Sequence, residues 1–92
     1  MNEKSKINER INLRISMLKR LYDQHFDNDG KESKITLEPE DTEERLALSY
    51  LADKGLACCR PTKGAVEYMA KITADGIDFI EKHLLKEDEA CS

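Results

Sequence analysis

The stretch LALSYLADKGLACCRPTKGAVEYMAKITADGIDFI, Leu46 to Ile80, decides the fold. Its opening residues belong to an amphipathic helix. Gly55 stands where a left-handed residue ends such a helix, and Leu56 folds back on Leu51 to seal it. Two extended segments follow, Leu56 to Arg60 and Ala65 to Thr73. In the second, Val66, Tyr68, Ala70 and Ile72 alternate with Glu67, Met69 and Lys71, so one face is buried. Pro61-Thr62-Lys63-Gly64 joins them, with Pro61 opening the turn and Gly64 supplying a positive φ. Thr73 caps a last helix, Ala74 to Lys86, whose inner face is Ile77, Ile80 and Leu84, with Phe79 to the side. Gly76, in its first turn, lets that helix start close against a neighbour.

Upstream of this block, the helix is expected to begin near Pro39 and to cover 39–54. Proline suits a first helical turn, and Asp41-Thr42-Glu43-Glu44 has a cap followed by a carboxylate. Its inward residues are Leu46, Ala47, Tyr50 and Leu51. Lys34-Ile35-Thr36-Leu37 alternates briefly and is expected to add one rung to the hairpin. Asp27-Asn28-Asp29-Gly30 is a turn that ends a long first helix, Ile7 to Phe26. On that helix Ile7, Ile11, Ile15, Leu18, Tyr22 and Phe26 recur at steps of three and four and form the core stripe. Leu13, Met17 and Leu21 lie off the stripe and widen it. Several large side chains left exposed favour a partner, so these three are assigned to a homodimer interface.

Ninety-two residues make one domain, with 1–6 and 87–92 expected to fray. A chain this short has a thin core, which also favours dimerisation. No apolar run approaches the roughly 20 residues of a membrane span, and no apolar leader block opens the chain, so a cytoplasmic protein is expected. The three cysteines agree: Cys58 and Cys59 are adjacent in a strand and cannot bridge each other, and Cys91 makes the count odd. The net charge of −4 is distributed in blocks, +3 over 1–26, −5 over 27–54, +2 over 55–73 and −4 over 74–92.

Two segments carry a family resemblance: Tyr50-Leu51-Ala52-Asp53-Lys54-Gly55-Leu56, and Tyr68 to Ile80 with its Ile72-Thr73-x-x-Gly76 element. They resemble the winged-helix superfamily, especially small bacterial and phage proteins related to MarR- and PadR-type regulators. The likeness covers roughly 39–83. It implies an α+β, winged-helix-like fold: long N-terminal helix, short strand, helix, β-hairpin wing and C-terminal helix. It also implies a dimeric regulator of transcription that binds double-stranded DNA. The chain departs from the pattern in one respect. The family places two helices before the wing, whereas Leu37 to Leu56 holds one helix of about 15 residues.

Charge sets two functional expectations against each other. A helix that enters a DNA groove needs a neutral or basic outer face. The 39–54 helix instead carries Glu40, Asp41, Glu43, Glu44 and Asp53 against Arg45 and Lys54. The residues left for phosphate contact are Arg60 and Lys63 at the wing, and Lys4, Lys6, Arg10 and Arg14 on the first helix. The first expectation is a small DNA-binding regulator that uses these six. The second is a protein-interaction or dimerisation module that has lost DNA readout and uses the acidic 39–54 helix as its partner face.

Nothing in the sequence marks an enzyme, a metal site or a cofactor. The cysteines and His25 and His83 lack zinc-ligand spacing. Cys58 is expected to be a small core residue, and Cys59 a partly exposed thiol. His25 near a helix C-terminus suits the dipole. Asp27, Asp29 and Glu32 lack the rhythm of a calcium loop, and no nucleophile or phosphate-loop motif occurs.

Overall fold

The computed structural model describes residues 3–38, 40–62 and 67–91, with side chains to residue 86. In chain order the elements are α1 (Glu3–Asp27), β1 (Ser33–Thr36), α2 (Thr42–Asp53), β2 (Ala57–Pro61), β3 (Glu67–Ile72) and α3 (Ala74–Cys91). Together they form an α+β fold with three helices and a three-stranded antiparallel sheet of order β1-β3-β2. The central strand is β3. It pairs with β1 from Ser33↔Ala70 to Thr36↔Glu67 and with β2 from Ala57↔Ile72 to Pro61↔Tyr68. The expected single rung before the hairpin is thus a four-residue strand. Strand alternation sends Ile35, Ala57, Ala70 and Ile72 to the covered face. There they meet Leu18 and Leu21 of α1, Leu51 of α2 and Ile80 of α3, all nearly solvent-free.

The α2–β2 joint follows its local sequence. Gly55 has φ 74°, its N–H reaches the Ala52 carbonyl at 3.0 Å, and the Leu56 N–H reaches the Leu51 carbonyl at 2.9 Å. This is the double bond pattern of a glycine-terminated helix. Thr73 does the corresponding work where β3 enters α3. Its hydroxyl accepts from the Gly76 N–H at 3.0 Å and donates to the Gly55 carbonyl at 2.6 Å. The Thr73 N–H also donates to the Leu56 carbonyl at 3.0 Å. Gly76 is buried, and a Cβ on it would collide with the Leu56 carbonyl oxygen. The two joints are therefore stitched to each other, which holds α2, the hairpin and α3 in one arrangement.

Several expectations change. α2 begins at Thr42; Pro39 lies outside the described residues, and Asp41 precedes the helix without a side-chain capping bond. The hairpin turn at Lys63 and Gly64 likewise lies outside them. α1 starts four residues earlier than the periodicity indicates, and α3 runs past Lys86 to Cys91. Cys58, expected in the core, turns outward, while Cys59 is partly exposed as expected. β2 enters with Ala57 facing inward, so Cys59 lies on the core side and Cys58 is exposed.

The largest correction concerns the helix faces. Met17 and Leu21, assigned to a dimer interface, are 9% and 2% exposed and belong to the core, with half-buried Leu13 packed against it. Ile7 and Ile11, assigned to the core, are 52% and 42% exposed. They share the face of buried Leu18, at steps of four and seven. The reason is length. All ten residues from Glu3 to Asn12 are exposed, so the apolar stripe continues past the part of the domain that covers it. On α2, Ala47, Leu48 and Leu51 face inward, while Leu46 and Tyr50 face solvent.

Candidate functional site

The basic residues expected to meet phosphate fall on two elements, and most are already engaged within the chain. On β2, the Arg60 guanidinium donates twice to the Glu32 carboxylate, at 3.0 and 3.3 Å. Arg10 on α1 donates to Glu43 on α2 at 2.9 Å. The Arg14 guanidinium lies 3.9 Å from the centre of the Tyr50 ring, a cation–π stack. Lys4 and Lys6 lie on the exposed first turns of α1. Lys63 lies outside the described residues. DNA would have to displace Glu43 and Glu32 to reach Arg10 and Arg60, and those carboxylates would then face phosphate.

Among the described residues α2 is the helix just before the hairpin. Its outward residues include Glu43, Leu46, Tyr50 and Asp53. Arg45, also on this helix, is exposed and reaches the Thr42 hydroxyl at 3.4 Å. The surface is acidic at its start and apolar along its middle. Beside it, α1, α2 and the start of α3 enclose an open cleft of about 310 Å³. Ile11, Ile15, Tyr50 and Phe79 form its upper walls, and Leu18 and Leu51 its floor. Two cations stand at its rim, Arg14 over the Tyr50 ring and Lys54 at 5.9 Å from the same ring.

Sequence reasoning missed this surface because it placed Leu46 and Tyr50 inward. The signal available was the pair of i, i+4 couples, Ile7 with Ile11 and Leu46 with Tyr50, on helices that pack together. Elsewhere on α1, exposed Phe26 packs edge-on against Tyr22, whose hydroxyl donates to Glu81 of α3 at 2.8 Å. That bond to a carboxylate holds the Tyr22 phenol above its ordinary pKa.

The remaining reactive groups do not converge. Burial pushes the Cys59 thiol up, the opposite of an activated thiolate. Among the described residues no group of three or more His, Cys, Asp or Glu side chains could hold a metal ion. Among them, too, no helix is long and apolar enough to cross a membrane. Compared with known proteins, the chain matches no family model, no curated protein and no solved structure.

Proposed function

We propose that this chain is a protein-interaction module on a winged-helix-like scaffold, with the partner surface where a groove reader would otherwise stand. The observation that carries this reading is the outer face of α2 together with its neighbours. Leu46 is 60% exposed and Tyr50 37% exposed on the helix face that begins at Glu43, while the nearby Arg10 and Arg14 are bound to Glu43 and to the Tyr50 ring. Exposed apolar side chains rimmed by charge suit protein contact, and an acidic reader-position helix is repelled by phosphate.

The order β1-β3-β2, with helices before, between and after the strands, supports the kinship to winged-helix proteins. That kinship also keeps a second reading in play, a DNA-binding regulator using Lys63, Arg60 and the basic start of α1. Titration of duplex DNA across a salt series separates the two. The interaction module shows weak binding even at low salt, unchanged by Lys63→Glu. Tight binding that falls steeply with salt and is lost on Lys63→Glu would establish the regulator instead.

A further inference from the structure

We infer that the partner is a second copy of this chain, and that two protomers exchange the exposed first half of α1, each laying it in the other's α1–α2–α3 cleft. This rests on the interaction-module reading and names its occupant. The arm needs a cover. Ten exposed residues make about 15 Å of helix, and a helical segment that short is marginal in water without packing. Within its own chain the arm reaches α2 through the Arg10–Glu43 ion pair, half-exposed on both sides.

The arm and the cleft fit each other. The arm offers Ile7 and Ile11, with Glu3 one turn before Ile7 on the same stripe. The cleft offers exposed apolar walls, Tyr50 and Phe79, with the cations Arg14 and Lys54 at its rim. An acid followed by isoleucines meets an apolar trough edged by positive charge. The basic flank of the arm, Lys6 and Arg10, meets the acidic start of the partner's α2, including Glu43. Size is adequate as well. The ten arm residues and the nine lining the cleft, Ile11 being in both, approach the roughly 20 residues a side of a stable interface. A two-fold exchange makes every contact twice, so it closes as a dimer.

The test is sedimentation of the full chain from micromolar to millimolar concentration, for wild type and four single variants. Ile7→Glu and Ile11→Glu alter the arm. Phe26→Glu and Leu85→Glu alter apolar side chains that are exposed elsewhere, at 59% and 63%. The dimer is expected to weaken ~100-fold or more in the arm variants, since each change acts twice, and to persist in the other two. Circular dichroism on dilute samples checks that the arm variants keep their helix content and cooperative melting. A wild-type chain that stays monomeric throughout overturns the inference, as does a dimer lost with Phe26→Glu or Leu85→Glu but kept with the arm variants. Neither result touches the interaction-module reading, which the DNA titration decides separately.

Discussion

The joint around Leu56, Thr73 and Gly76 and the first half of α1 are both helical boundaries, yet they are built in opposite ways. At the joint the Leu56 carbonyl receives the Thr73 N–H, the Thr73 hydroxyl bridges Gly55 and Gly76, and no room remains for a methyl group on Gly76. On the α1 arm all ten residues are exposed and two isoleucines face water. One region is complete within a single chain. The other leaves apolar residues uncovered within a single chain, as the proposed interface requires. A thin core makes this division understandable: a small domain satisfies its joints internally and leaves apolar side chains that would gain from burial against a partner.

The contrast predicts a graded set of effects. Gly76→Ala should be the most damaging, because its Cβ meets a backbone oxygen that cannot swing aside; chemical denaturation should show a loss of about 3 kcal/mol. A loss under about 0.5 kcal/mol would mean that the joint is soft and the comparison false. Thr73→Ala removes a cap and a bridge and should cost about 1–2 kcal/mol, with Thr73→Ser close to wild type. Arg10→Ala and Glu43→Ala should each cost about 0.2–1 kcal/mol, with a double-mutant cycle returning a similar coupling, since their ion pair is half-exposed. In dilute monomer Ile11→Ser should change stability by no more than about 0.5 kcal/mol, whatever it does to association. The finest test concerns β2. As pH is raised, a thiol reagent should modify Cys58 before Cys59, because Cys58 is exposed and burial holds the Cys59 proton longer.

How much of this was legible in the sequence depended on how local the determinant was. Gly55 with Leu56, Thr73 with Gly76, and the alternation from Tyr68 to Ile72 all act within a few residues, and each element they predict is present. Ile80 was also placed correctly in the core. Face assignment failed where two neighbouring stripes were both apolar. On α1, periodicity cannot say that Leu18 is covered while Ile7 and Ile11 on the same face are not, because cover comes from elements distant in sequence. On α2, Leu46 and Leu48 are equally apolar, and only the position of the sheet sends Leu48 inward. The outward turn of Cys58 was a one-residue question of strand phase. The proposed partner surface was hidden for the same reason: it consists of residues whose sequence signature is that of a core.

Amide hydrogen exchange measured at two chain concentrations tests the central claim most directly, because it reads both regions in one sample. The first N–H groups of α1 have no intrahelical acceptor, so the informative amides are those of Ile7 to Asn12. Their protection should rise strongly between dilute and concentrated chain, while the amides of Leu56, Thr73 and Gly76 stay equally protected at both. Arm amides whose protection does not change with concentration would contradict the account.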